Sequence, residues 1–135
     1  MSITSAATAG RRAAEARMRD TVRLYRQAAD IFDRVSGETV PGPQSTLYTG
    51  RARVKAAPAV PEDTEAGERE VTRRRYGVDL PWATRLPGGG RILPGDRIEV
   101  TATADARMLG LALWVLDAEY GDQTTAWRIS TEDRA

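Results

Sequence analysis

The chain opens on a helical pattern and then changes period. "SAATAGRRAAEARMRD", residues 5–20, is rich in strong helix formers and free of proline, which predicts a helix. Ser5 or Thr4 can cap its start. Ala9, Ala13 and Ala16, with Ala14 and Met18, give only a thin apolar stripe, and Arg11, Arg12, Arg17 and Arg19 fill the rest. Such a stripe builds no core alone, so the helix is expected to pack on a sheet or on a partner. After Asp20 the period becomes two. In "TVRLYR", Val22 and Leu24 share one face, Arg23 and Tyr25 the other. In "LYTGRARVKA", Tyr48, Ala52 and Val54 oppose Arg51, Arg53 and Lys55. In "REVTRRRYGVDLPW", Tyr76, Val78 and Leu80 point inward, Arg73 and Arg75 outward. "RIEVTATA" turns Ile98, Val100 and Ala102 inward, and "TTAWRIST" sets Trp127 and Ile129 on one face. "LALWVLDAEY" is apolar on both faces, which predicts a central or doubly covered strand, with Trp114 and Leu116 in the core.

Two long stretches interrupt this pattern. Residues 27–46 carry Ser-Gly and Pro-Gly-Pro turn signals, and residues 57–68 are Pro-rich and acidic. Both are expected to be loops, poorly ordered in an isolated subunit and ordered by neighbours, because they have little to bury alone. The resulting fold class is mainly β: a small antiparallel β-barrel or sandwich of about six strands, with an N-terminal α-helix and long loops. Residues 1–20 form a helical arm and residues 21–135 a single β domain. The expected core is Val22, Leu24, Val54, Val78, Leu80, Ile98, Val100, Trp114, Leu116 and Ile129.

"RLPGGGRILPGDRIEV", residues 85–100, raises the question of a phosphate cradle. A cradle needs glycines at a strand end immediately before a helix, so that amides and helix dipole meet the anion. Here the glycines lead into a strand. Pro94 blocks a helix, and Pro-Gly-Asp makes a tight turn. Gly88, Gly89 and Gly90 are therefore expected to form a flexible tip, with Arg85 and Arg91 on its shoulders. That tip is a candidate contact at a ring's lumen or at the junction with the next ring; the alternative is a plain hairpin tip.

Composition narrows the chemistry. The chain has 135 residues, which suits one modest core, and it contains no histidine and no cysteine. The commonest general base, the commonest transition-metal ligand and every thiolate site are thereby absent, which argues against an enzyme. No cofactor is implied. No apolar run approaches a membrane span and no secretory signal is visible, so a protein made in a cytoplasm is expected. The acidic cluster Glu62, Asp63, Glu65, Glu68 and Glu70 lacks the spacing of a calcium loop. The net charge of +1 hides an asymmetry: residues 1–60 hold ten basic and five acidic residues, residues 61–135 ten and fourteen. Such halves can pair head to tail between copies, or be mixed by folding. Arg51, Arg53, Lys55, Arg73 and Arg75 are candidates for contact with a polyanion through sequence-blind charge, or else make a solvated outer face.

The order of several pieces resembles the small head-to-tail connector proteins of tailed bacteriophages, particularly those infecting actinobacteria. These pieces are "GRRAAEARMRDTVRLYR", "DRVSGETV" then "LYTGRARV", "RRRYGVDLPW", "ILPGDRIEVTA" and "LWVLDAEYGDQTTAWRISTED", spanning about residues 10–133. Their order and spacing carry the resemblance, each piece alone being loose. The resemblance implies a head-closure or stopper subunit, a small β-barrel with appended helix and loops. It implies a homo-oligomeric ring, dodecameric or hexameric, below the portal and adaptor. Its partners would be portal or adaptor, tail terminator or tail tube, and packaged double-stranded DNA in the lumen, in the virion neck and with no membrane. It carries no catalytic residues. The chain departs from it at "QAADIFDRV", where a more polar turn is expected. The alternative from the residues alone is a monomeric nucleic-acid-binding barrel that uses the arginine-rich strands.

Overall fold

The computed structural model describes residues 3–57 and 74–134. Helix α1 (Ile3–Ala16) is followed by strands β1 (Asp20–Gln27), β2 (Ile31–Phe32), β3 (Thr39–Val40) and β4 (Gln44–Ala56). Then come β5 (Arg75–Pro81), β6 (Arg97–Ala102), β7 (Ala112–Glu119) and β8 (Ala126–Asp133). Six strands close into an antiparallel barrel in the order β1-β4-β5-β8-β7-β6, with β6 returning to β1. β2 and β3 form a separate hairpin. The fold is therefore mainly β with one N-terminal helix, as expected, and of the barrel and sandwich that the period-two runs allow it is the barrel.

The barrel is filled. Val22, Leu24, Ala52, Val54, Val78, Leu80, Ile98, Val100, Leu113, Val115 and Ile129 form one buried cluster inside it. Alternation along each strand sends every second side chain to this interior, and a barrel this small leaves no channel. Two of the expected core residues are placed otherwise. On β7 it is Leu113 and Val115 that are buried, while Trp114 and Leu116 are only partly covered. Both parities of β7 are apolar, so hydrophobicity alone cannot choose its face; its pairing does. Ile98 is inward on β6 and opposes Leu113, which fixes Leu113 inward and Trp114 outward beside Arg97. A shift in the β7–β8 register between Val115 and Asp117 then moves Leu116 out of the ladder.

The helix ends at Ala16, short of the expected Asp20, and Met18 is buried in the turn that follows. The stretch 27–46 is not a plain loop: it carries the β2–β3 hairpin, with Ile31 opposite Val40 and Phe32 opposite Thr39. Residues 58–68 of the second expected loop lie outside the described residues, as does Arg73. Among the described residues no helix is long and apolar enough to cross a membrane.

Candidate functional site

Strand directions gather three connections at one end of the barrel. They are the segment between β1 and β4 that bears the hairpin, the segment 82–96 between β5 and β6, and the β7–β8 turn. β5 and β6 lie three places apart in the closed strand order, so segment 82–96 must cross the barrel mouth. It does so by lowering Leu86 and Ile92 onto the core, where both are buried. Tyr120, from the β7–β8 turn, clamps the crossing: the Ile92 N–H donates to its hydroxyl at 3.0 Å, and the hydroxyl donates to the Ile92 carbonyl at 3.2 Å.

The crossing ends in the tight turn that "LPGD" predicts. The Asp96 N–H donates to the Leu93 carbonyl, and Gly95 takes φ +92°, the conformation the third turn position requires. The buried Asp96 carboxylate then accepts from the Leu93 N–H at 2.8 Å and from Arg26 through both oxygens, at 2.9 and 3.0 Å. This fork stitches the loop to β1, and the Asp96 hydrogen bonds push the Arg26 guanidinium above its ordinary pKa. The segment enters strand β6, with no helix after the glycines. Gly88 and Gly89 have φ +74° and +68°, and Gly88, Gly89 and Gly90 stand exposed at the tip. The glycine-rich stretch is thus half core plug and half exposed tip.

Beside that tip lies an open cleft of about 280 Å³. Trp82, Leu86, Tyr120 and Trp127 give it aromatic and apolar walls, and Arg85 and Arg91 stand on its rim. Tyr120 and Trp127 lean together with ring centroids 5.4 Å apart. The Trp127 indole N–H is buried with no acceptor among the described residues. Trp82 donates to the Gly121 carbonyl at 3.0 Å and is covered on one face by the Arg11 guanidinium, 3.5 Å from the ring centre. Arg11 also donates to the Thr124 and Asp122 carbonyls, which docks α1 beside the cleft. Gly10 allows that approach, since a Cβ there would meet Thr125 at 2.7 Å.

The candidates read from the sequence fall into two separate groups. Arg51, Arg53, Lys55 and Arg75 share the outer face of β4 and β5, as their alternation predicts. Part of that charge is offset: Lys55 lies over Gly77 and reaches Asp79 at 3.3 Å. Arg85, Gly88, Gly89, Gly90 and Arg91 belong instead to the barrel mouth. Lys55 and Arg75 sit at the far end of their strands from it, so the two groups form no single surface.

Sequence reasoning missed the cleft aromatics and the Arg11 clamp, because Trp82 is distant in sequence from Tyr120 and Trp127 and meets them only through the β5–β8 and β7–β8 pairings. It also missed the hairpin, although Ile31-Phe32 and Thr39-Val40 flanking "DRVSGE" are a strand–turn–strand signal. A further cluster on the outer wall went unread: Trp114 lies between Arg97 and Arg134, at 3.9 and 4.4 Å. Among the described residues no group of acidic side chains is placed to hold a metal ion.

Fold and surface together define a small, filled antiparallel β-barrel whose distinctive features are a projecting hairpin and an aromatic cleft. Residues 10–132 match a family described as a family of unknown function (DUF6093), and the chain belongs to that family. No curated protein and no solved structure matches it.

Proposed function

We propose that the protein is a structural subunit of the tailed-phage neck. It is a head-closure or stopper component that forms a ring below portal and adaptor, retains packaged double-stranded DNA and offers a docking surface to the tail. The resemblance in the order of the sequence pieces suggests this reading, and one structural observation supports it above others. The β2–β3 hairpin leaves Ile31, Phe32, Val35 and Val40 exposed, with Val35 96% accessible. A two-stranded ribbon is marginal by itself in water, and clustered exposed apolar side chains mark contact with another chain. A subunit of a larger assembly accounts for both.

On this reading DNA runs through the hole of a ring of copies, since the barrel interior is filled with side chains. The arginines on β4 and β5, or those at the barrel mouth, supply charge toward DNA or toward acidic partners. The subunit is made in the host cytoplasm and resides in the virion neck. Electron microscopy of the purified protein, together with antibody labelling of virions, tests this. Rings, or label at the head–tail junction, are expected. A compact monomer that binds DNA tightly with steep salt dependence would overturn the reading in favour of the nucleic-acid-binding barrel.

A further inference from the structure

The hairpin and the cleft stand on opposite sides of the same barrel end. The hairpin springs from the junction of β1 and β4, and the cleft lies at the junction of β8 and β7. In the closed order β1-β4-β5-β8-β7-β6 these junctions are three strands apart either way round. A projecting apolar element on one side and an apolar recess on the other are the two halves of a heterologous contact.

We propose that the β2–β3 hairpin of one copy seats Phe32 and its neighbours in the cleft walled by Trp82, Leu86, Tyr120 and Trp127 of the next copy. This rests on the ring reading above and names the surfaces that would build the ring.

Three observations carry it. The first is complementary polarity: exposed Ile31, Phe32 and Val35 on the donor face aromatic and apolar walls on the acceptor. The second is complementary charge. The hairpin carries Asp30, Asp33 and Glu38 against Arg34, and the cleft rim carries Arg85 and Arg91 against Glu119. Each inverts the charge balance of its own half of the chain. The third is partial preorganisation. The Asp33 carboxylate accepts from the Val35 N–H at 2.9 Å and the Ser36 hydroxyl at 3.1 Å, and the Gly37 N–H closes onto the Asp33 carbonyl. At the neck, a Cβ on Gly42 would stand 2.3 Å from the Ala29 carbonyl oxygen, so the two segments leading into and out of the hairpin pass there in close contact. These contacts at tip and neck reduce the freedom that a marginal two-stranded ribbon gives up on docking.

The test uses two variants that leave the barrel alone. Phe32→Asp alters a side chain that is 61% exposed. Gly90→Phe adds a bulky ring to a residue that lines the cleft, at a position where a Cβ meets nothing within 4 Å and φ is an ordinary −75°. Sedimentation velocity over a concentration series should show self-association of the unaltered protein and its loss in each variant, with unchanged far-UV dichroism. Mixing the two variants should restore one contact, the Gly90→Phe hairpin in the Phe32→Asp cleft, and so give a dimer and nothing larger. If Phe32→Asp associates like the parent, or the mixture stays monomeric while the parent associates, the hairpin contact is overturned and the ring reading stands. If the parent is monomeric at every concentration, the hairpin contact falls, and labelling of virions decides the neck reading. If the contact is found in a protein that never labels virion necks, the contact stands and the neck reading falls.

Discussion

Trp114 shows how a large side chain can stabilise a barrel from outside. It lies opposite Arg97 on β6 and between two guanidiniums, so its contribution is cation–π contact and partial coverage. Its neighbour Leu113 is fully buried. Truncating Leu113 to alanine leaves a cavity in a packed interior and should cost about 3–4 kcal/mol. Truncating Trp114 should cost less, about 1–2 kcal/mol, for the loss of two partly exposed cation–π contacts. Urea denaturation of the two variants checks the order. A larger loss at Trp114 would contradict the β7 face assigned by the Ile98–Leu113 pair.

At the scale of elements, the hairpin turn is held by a charge. Hydrogen bonds from the Val35 N–H, and then from Ser36, keep the Asp33 carboxyl below the usual carboxylate range. A group whose folded pKa is depressed contributes above its unfolded pKa, and the contribution is lost as pH falls through the lowered value. The turn should therefore be fully formed at neutral pH and loosen only in acid, below the ordinary aspartate range. The amide resonances of Val35 and Gly37, followed by NMR from neutral to low pH, should move together with that titration. Asp33→Asn should abolish the pH response. Legibility from sequence follows the same physics. β1, β4, β5 and β6 each present one apolar and one charged parity, so Val22, Leu24, Val54, Val78, Leu80, Ile98 and Val100 could be assigned to the interior from alternation alone. β7 presents two apolar parities and could not be assigned. The hairpin's strands are two residues long, too short for a period to register, so its only signal is the pair of apolar dipeptides flanking a turn. The cleft was hidden for another reason: it is a product of strand order, which alternation does not encode.

At the scale of the whole molecule, folding does not simply mix the two halves of the chain. β1 and β4 are neighbours, and β5, β8, β7 and β6 form the remaining arc, so each half keeps its own side of the barrel. The helix is the exception. It belongs to the basic half and lies against β5 and β8 of the acidic one, fastened by Arg11.

The closing seam between β1 and β6 has a consequence in time. Leu24 must find Ile98, and Val22 must find Val100, across most of the chain, whereas β6, β7 and β8 follow one another and pair as a local meander. Loop closure is the entropic cost that delays distant pairing, so the meander should assemble first and β1 should arrive late. Refolding is expected on the millisecond-to-second scale of barrels rich in distant pairings. Substitutions at Leu113 or Val115 should slow folding, while Val22→Ala should mainly speed unfolding. Stopped-flow chevrons followed by tryptophan fluorescence measure both limbs. A Val22→Ala variant that folds slowly and unfolds at the parent rate would mean that the seam, and not the meander, is the nucleus.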